Sequence, residues 1–233
     1  RQPMSKIAGR ISLVVGQYFL LKPNKGIGTL FGKFENIQPR EVTVVGAGVA
    51  GKEAIGKGIE SGAHVNVLDI SEHKLQELAK EFGSENISYI NSTPENISDA
   101  VSKSDLVIGS VYVVGKEAPK VITKEMLKGM KPGSVLVDIS IDQGGCIETS
   151  RPTTHDDPVF LEEGVVHYCV TNMPGAVPLT ASLALNHATL PFIEKIANLG
   201  LEKACASDNH LANGLNIADG EVRHPSVEAA LNS

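Results

Sequence analysis

The sequence predicts an α/β protein built on a doubly wound, mostly parallel sheet. Three observations lead to this fold class. Apolar, β-branched runs alternate with stretches of helical period from residue 42 onward, and this alternation predicts parallel strands joined by right-handed helical crossovers. A glycine-rich turn from Gly46 to Gly51 links the first run to the first helical stretch. The second run ends in an acid, Asp69.

A long linker helix is predicted ahead of the sheet, over residues 3–21. Its apolar residues recur every three or four positions, as on one face of an amphipathic helix: Met4, Ile7, Ile11, Val14, Val15, Tyr18 and Phe19. This face either covers the sheet or packs on a domain that is absent from the chain. Residues 22–38 contain Gly26, Gly28 and Gly32 and are predicted to form a hairpin or an irregular strand. No Gly-Lys-Ser/Thr follows these glycines, which favours turn chemistry over a phosphate loop.

The remaining elements follow one another along the chain. Strands are predicted over 42–46, 64–69, 87–91, 105–109, 134–139 and 165–170, and helices over 49–61, 71–82, 94–102, 123–130 and 177–199. Ser71 is predicted to cap the helix that follows it. Thr93 and Pro94 are typical of the start of the next helix.

The first strand, the glycine turn and the following helix form a dinucleotide-binding fingerprint of the Rossmann type. Gly46 permits the tight turn, Gly48 lets the backbone approach a pyrophosphate, and Gly51 lets the helix pack closely on the sheet. Asp69 stands where a carboxylate binds a ribose 2′-hydroxyl and repels a 2′-phosphate. The alternative is a glycine-rich turn of another α/β protein, followed by an unrelated acid. Because strand, spacing and terminal acid agree, we predict NAD as the cofactor.

Composition narrows the class of protein. Of the 233 residues, 42% are hydrophobic and 21% charged, which is typical of a globular protein with a sizeable core. The net charge is −6 and no Lys/Arg block occurs, which argues against a nucleic-acid partner. No apolar run is long enough to span a bilayer, and no signal-peptide pattern appears. Cys146, Cys169 and Cys205 are widely spaced and indicate buried thiols in a reducing cytoplasm, without a metal site.

Polar residues bracketed by Gly and Pro follow three of the predicted strands. Ser110, Val111 and Tyr112 follow one strand, the segment 140–146 follows the next, and 171–178 follows the last. Ligands of doubly wound sheets bind beyond the carboxyl ends of the strands. The three segments therefore predict a composite site, although each alone is typical of a turn.

Segments along nearly the whole chain resemble alanine dehydrogenases: Met4–Arg10, Lys131–Cys146, Glu148–Thr154, His167–Pro178 and Asn186–Pro191. The most specific motifs are Ile141-Asp-Gln-Gly-Gly-Cys146 and Asn172-Met-Pro-Gly-Ala176. The NAD-binding component of proton-translocating transhydrogenases shares the Gln-Gly-Gly and Arg-Pro regions less closely. The resemblance implies reversible oxidative deamination of L-alanine to pyruvate and ammonia, with NAD as hydride acceptor.

The resemblance also implies which residues contact the cofactor. They are Ser5 in the linker helix, Val49 and Ala50 at the pyrophosphate turn, Asp69 and Lys74 on the adenosine ribose, Asn91 near the adenine, Val111 and Tyr112 beside the cofactor, and Ile139, Ser140, Ile141, Asp142, Arg151, Val170, Thr171, Asn172 and Met173 around the nicotinamide. Asn91 departs from the serine expected at its position.

Asp142 is the predicted catalytic residue. A carboxylate beside the reacting carbon stabilises the iminium that forms as hydride leaves, and it orients the attacking water. The alternative role is that of a turn cap. Among the other titratable candidates, His155 follows a loop, His167 lies inside a strand as a core histidine, and His187 lies on the long helix without an evident partner.

Members of the resembled family carry an amino-terminal domain with the substrate-binding Arg and Lys and the catalytic His, and this chain has no segment that matches it. The expected organisation is a linker helix at 1–22, an NAD-binding domain at 23–176, and a helical segment at 177–233 that completes the missing domain. Three interpretations follow. The chain is the NAD-binding part of an alanine dehydrogenase and is inactive alone, or it is a short NAD sensor without turnover. The third is an assembly module, since family members form hexamers largely through the linker helix. The first is favoured, because residue 1 is not methionine.

Overall fold

A seven-stranded sheet lies at the centre of this computed structural model, which describes residues 2–32, 34–113 and 117–232. Its strands are β1 (Glu41–Val45), β2 (His64–Asp69), β3 (Ile87–Asn91), β4 (Leu106–Gly109), β5 (Val135–Asp138), β6 (Val159–Glu162) and β7 (Val165–Tyr168). The helices around it are α1 (Gln2–Phe19), α2 (Val49–Glu60), α3 (Glu72–Phe82), α4 (Pro94–Lys103) and α5 (Lys124–Leu127).

The strands are arranged in the order β3-β2-β1-β4-β5-β7-β6. Neighbouring strands are parallel from β3 to β7, and β6 pairs antiparallel with β7 at the edge. This arrangement confirms the predicted doubly wound, mostly parallel α/β fold. The chain builds outward from β1 to β3, then crosses to the other side of β1 to form β4. A crevice opens at such a switch point, outside the carboxyl ends of β1 and β4.

Local sequence signals account for the start of the helices. The Ser71 side chain accepts a hydrogen bond from the Lys74 backbone N–H and caps α3, as predicted. Thr93 caps α4 in the same way, and Pro94 occupies the first turn, where no backbone N–H is needed. The side chains of β1, β4 and β5 are almost entirely buried, which explains their continuous apolar runs.

Helix α1 covers one face of the sheet, packing on α2 and contacting β4, β5 and β7. Its buried face agrees with the predicted one at Ile7, Ile11 and Phe19 but differs elsewhere. Val14 and Tyr18 are 67% and 56% exposed, whereas small residues such as Gly9 and Ser12 are buried. The helices approach so closely that a Cβ atom at Gly9 would lie 2.1 Å from the Ala50 carbonyl oxygen. Close backbone approach, in addition to apolar burial, therefore decides which side of α1 faces inward.

Three segments depart from the predicted secondary structure. In 22–38 the structure has a 3-10 helix at Lys22–Asn24 and a single antiparallel bridge between Phe34 and Ile37, while Lys33 lies outside the described residues. The helix predicted at 123–130 ends at Leu127, shortly before Gly129. The edge strand β6 was not predicted, because four residues after a proline carry no clear alternation.

Residues 182–233 form a second compact unit, and residues 1–181 form the first. The long helix predicted at 177–199 is present as α6 (Pro178–Leu199), which contains Pro191 and has no buried residue. It is followed by α7 (Leu201–Ser207), α8 (Asn209–Gly214), the short hairpin β8 (Ile217–Ala218) and β9 (Glu221–Val222), and α9 (Pro225–Leu231). Among the described residues, no helix is both long and apolar enough to cross a membrane.

A neutral histidine of β7 lies in the core. His167 is fully buried, and its ring stacks on Phe160 with the centroids 4.8 Å apart. Its Nδ1–H donates to the Val165 carbonyl oxygen (2.9 Å), so Nε2 accepts from the Thr149 hydroxyl (2.8 Å). Burial lowers the pKa of His167, and the bond to Val165 offsets part of this effect. The prediction of a core histidine at this position is confirmed.

Replacing Gly9 with alanine should separate α1 from α2. Because the new Cβ would overlap the Ala50 carbonyl, we expect Gly9→Ala to lower the free energy of unfolding by about 1–3 kcal/mol. Gly56→Ala is the matched control, since a Cβ there would meet the Phe82 ring at an ordinary 3.6 Å. The control should stabilise the helix by about 0.5–1 kcal/mol. Urea unfolding measures both, and equal effects would contradict the close-approach argument.

The buried His167 predicts an acid-sensitive fold. A histidine with a lowered folded-state pKa stabilises the protein above its unfolded pKa of about 6.5, and this stability is lost as the pH falls below it. As the pH falls in this range, protonation of His167 should lower the free energy of unfolding by up to about 1.4 kcal/mol per pH unit. His167→Gln should flatten the decrease between pH values of about 7 and 5, whereas His73→Gln, at an exposed site, should not. An unchanged slope in His167→Gln would disprove this assignment.

Candidate active site

One cavity of about 660 Å³ opens at the switch point between β1 and β4. Segments that follow β1, β2, β4 and β5 form its walls, and the first turns of α1 and α2 close one side. Its volume lies in the range of ligand-binding pockets. The strands therefore deliver their carboxyl-terminal segments to a single site.

The glycine turn gives this cavity its floor. Gly46 has φ +96°, a left-handed conformation that favours glycine, and a Cβ there would lie 2.8 Å from the Ser110 carbonyl group. A Cβ at Gly51 would lie 1.9 Å from the Gly46 carbonyl oxygen, so α2 packs directly on the turn. At Gly48 a Cβ would have no atom within 4 Å, because this residue faces the open cavity. The turn thus leaves room for a ligand at Gly48.

Helix α2 begins at Val49 and directs its first turn at the cavity, where Val49 and Ala50 form part of the wall. The N–H groups of a first helical turn have no carbonyl partner within the helix, and the helix dipole is positive at this end. These features suit a phosphate group. Ser5 and Gln2 of α1 line the same side.

Asp69 lies at the end of β2 with its side chain only 7% exposed. Its Oδ2 accepts hydrogen bonds from the Ala47 backbone N–H (2.8 Å) and from Lys74 Nζ (3.1 Å), and its Oδ1 accepts one from the Ser71 N–H (2.9 Å). Burial raises the pKa of Asp69, but the bonds from Ser71, Ala47 and Lys74 outweigh it and leave the pKa below its usual value. The carboxylate is therefore ionised, with lone pairs left for a hydroxyl donor.

The residue beyond β3 that reaches the cavity is Ser92. Asn91, the predicted contact, is the last residue of β3 and is exposed, and its carbonyl oxygen accepts a bond from the Asn96 side chain. Ser92, rather than Asn91, is therefore the residue after β3 that lines the cavity.

The segment after β5 carries the predicted catalytic acid. Ile139–Gln143 forms a 3-10 helix that places Ile139, Ser140, Asp142 and Gln143 in the cavity wall. Asp142 is exposed, and its Oδ1 accepts a bond from the Asn172 backbone N–H at 3.4 Å. Asn172 adopts a left-handed conformation with φ +52°, and the ring of His155 lies 3.2 Å from its carbonyl oxygen.

The cavity brings together many of the predicted site residues: Ser5, Gly46, Gly48, Val49, Ala50, Asp69, Lys74, Val111, Tyr112, Ile139, Ser140 and Asp142. Others lie elsewhere. Gly51 packs beneath the turn, and Ile141 and Met173 are buried. Arg151 lies over the Phe160 ring, 4.0 Å from its centroid, which turns it toward the sheet edge. Four more residues also lie outside the cavity wall: Asn91, Val170, Thr171 and Asn172. Of these, Asn172 contacts Asp142.

Further wall residues had no specific signal in the sequence: Gln2, Leu68, Ile70, Ser92, Val113, Pro119 and Val121. Pro119 and Val121 lie on the return of the loop after β4, whose path depends on tertiary contacts. Gln143 also lines the wall, and it lies in the predicted site segment 140–146, although it was not singled out as a contact residue. Val114, Gly115 and Lys116 of this loop lie outside the described residues.

The thiols take no part in this cavity. Cys146 and Cys169 are buried, and burial raises the pKa of each to about 12. Cys205 is half-buried in the second unit. Within the ranges that the structure describes, no three His, Cys, Asp or Glu side chains come close enough together to hold a metal ion.

Comparison with known proteins places this geometry in a family. Residues 12–225 match the family profile described as "Alanine dehydrogenase/PNT, C-terminal domain". Alanine dehydrogenase from Halomonas elongata is 47% identical over 98% of this chain and 61% of its own length, and that from Geobacillus stearothermophilus is 46% identical over 99% and 62%. The chain thus spans about three-fifths of the length of these relatives.

Solved structures agree with this assignment. An L-alanine dehydrogenase matches with a TM-score of 0.94 and 43% identity over 99% of this chain and 63% of its own. A transhydrogenase from Sinorhizobium meliloti matches with a TM-score of 0.77 and 26% identity over 97% and 60%. The chain therefore belongs to the alanine dehydrogenase/PNT family and matches its C-terminal domain.

Proposed function

We propose that this chain is the NAD-binding part of an alanine dehydrogenase, which oxidises L-alanine with water to pyruvate and ammonia. The observation that carries the proposal is that Asp142, the glycine turn and Asp69 line one cavity. Binding groups for a dinucleotide and a candidate catalytic acid thus share a site in a chain that is 47% identical to curated alanine dehydrogenases.

The cavity suits NAD along its whole length. Gly48 and the first turn of α2 would hold the pyrophosphate, since a side chain at Gly48 would occupy that space. Asp69 would bind the adenosine ribose, with Lys74 and Ser92 beside it. Because β2 and β5 lie on opposite sides of the switch point, the nicotinamide would lie near Ser140 and Asp142. When bound, NAD supplies the acceptor for the hydride that leaves the amino acid.

Asp142 has a role on the substrate side of this chemistry. Loss of hydride leaves a positive charge on the carbon–nitrogen group of the amino acid, and a nearby carboxylate stabilises that charge. The same oxygen atoms can accept a proton from the water that attacks the iminium carbon. The Asn172 N–H holds Oδ1, which leaves Oδ2 for the substrate or water.

We further propose the organisation outlined by the sequence: a linker helix at 1–22, an NAD-binding domain at 23–176, and a segment at 177–233 that contributes to a substrate domain. The exposed Val14 and Tyr18 of α1 support an interface between copies in a homo-oligomer. The transhydrogenase match supports a second candidate, an NAD-binding component without alanine turnover. Alanine-dependent NADH formation separates the two.

The chain should prefer NADH to NADPH. A 2′-phosphate beside the ionised Asp69 would bring two anions together at a largely buried carboxylate, so we expect at least about a hundredfold weaker binding of NADPH. Asp69→Asn should reduce this preference, whereas Asp99→Asn, at an exposed surface, should leave it unchanged. Calorimetric titration with both nucleotides provides the test. Equal affinities of the unaltered chain for NADH and NADPH would show that Asp69 does not contact the ribose.

Asp142→Asn should separate chemistry from binding. We expect alanine-dependent NADH formation to fall by at least about a hundredfold, with little change in the affinity for NADH. Because the chain alone is expected to be inactive, the fall is measured after the chain is supplemented with the portion of the Halomonas relative that it does not match. Asp156→Asn, an exposed carboxylate in a neighbouring loop, is the control. Near-normal turnover of Asp142→Asn would reduce this residue to a turn cap.

A further inference from the structure

The loop that carries Asp142 has an unusual backbone. After the 3-10 helix at Ile139–Gln143, two consecutive residues, Gly144 and Gly145, have φ +86° and +77°. Left-handed pairs of this kind are accessible to glycine, but glycine also gives the unbound loop many competing conformations. Contacts from outside the loop must therefore select the conformation that places Asp142 and Gln143 in the cavity wall.

One set of contacts comes from Asp138, the last residue of β5. Its buried carboxylate accepts bonds from the backbone N–H groups of Ser140 (3.0 Å), Cys146 (3.0 Å) and Ile147 (3.2 Å), and from the Ser150 hydroxyl (2.7 Å). It thereby binds the N–H groups at both ends of the loop. The carbonyl groups in the middle of the loop need a different partner.

That partner is Lys120, on the segment that returns after β4. Its ammonium group donates to the carbonyl oxygen atoms of Gly144 and Gly145, the latter at 2.8 Å. Backbone bonds fix the same two segments together, from Ala118 N–H to the Gln143 carbonyl (2.9 Å) and from Val121 N–H to the Cys146 carbonyl (2.9 Å). Lys120 lies between these two bonds and supplies the charge that complements the carbonyl end of the 3-10 helix.

We propose that Lys120 is a positioning residue for the nicotinamide half of the cofactor site. By holding the Gly144 and Gly145 carbonyl groups, it keeps Ser140, Asp142 and Gln143 in the cavity wall. This inference rests on the proposed NAD function, because it assumes that the nicotinamide lies beside these residues. The adenosine half depends on the glycine turn and Asp69, which have no hydrogen bond to Lys120 among the described contacts.

A comparison of two ligands isolates this effect in the 233-residue chain. ADP-ribose contains the adenosine, both phosphates and the second ribose of NADH, and it lacks the nicotinamide. Loss of a direct attraction between Lys120 and the phosphates would weaken both ligands equally. Loss of loop order should weaken NADH alone. The ratio of the two dissociation constants therefore distinguishes positioning from simple charge.

In Lys120→Met we expect the Kd for NADH to rise about tenfold, and the Kd for ADP-ribose to change less than about twofold. Lys120→Arg, which retains a cation with several donors, should restore NADH binding to within about threefold of the unaltered chain. Lys128→Met removes another exposed lysine, one paired with Glu125, and should change neither constant. The Lys120 side chain lies at the surface, so these variants should fold normally.

Hydrogen exchange of residues 139–150 in the nucleotide-free chain gives an independent measurement. Exchange should be faster in Lys120→Met and normal in Lys120→Arg. Equal weakening of both ligands, unchanged NADH binding or unchanged exchange in Lys120→Met would overturn the inference. If the unaltered chain bound neither NADH nor ADP-ribose, the proposed NAD function itself would fail.

Discussion

Direct contact between backbones, made possible by glycine, is the constraint on which the rest of this structure depends. The Gly46 turn lies against the Ser110 peptide, α2 lies on the turn at Gly51, and α1 lies on α2 at Gly9. A methyl group at any of these positions would overlap a carbonyl group. The three contacts bring two helix starts and two strand ends to one point, and the cavity exists because they meet there.

The sequence was most informative where the signal is local. The turn from Gly46 to Gly51 and the terminal acid Asp69 have fixed spacing, so they predicted the first crossover of the sheet and the position of the cavity. Ser71 and Thr93 act through side-chain bonds to residues three positions away, and such caps can be read directly from a sequence. The alternation of strands and helices then determined the fold class.

Features that depend on distant contacts escaped prediction. The inward face of α1 is set by its approach to α2, so apolar periodicity placed Val14 and Tyr18 on the wrong side. Ser92, rather than Asn91, reaches the cavity, because which of two adjacent residues at a strand end faces a ligand depends on the neighbouring segments. Pro119 and Val121 reach the site through a loop whose course follows from its pairing with residues 143–148. In each case the missing information was the position of another segment.

The two halves of the cavity are stabilised by different physics. On the β2 side, the glycine contacts and the Asp69 carboxylate, which is bound to backbone N–H groups, leave the cavity wall little conformational freedom. On the β5 side, the Asp142 loop is held at its ends by Asp138 and at its middle by Lys120, both through polar bonds. The Asp138 bonds are buried, whereas the Lys120 bonds lie at the surface, where polar bonds exchange with water at small net cost. The middle of the loop is therefore held less firmly than its ends. Under the proposed function, loop ends anchored by Asp138 beside a less firmly held middle would suit a site that retains NAD while substrate and product exchange.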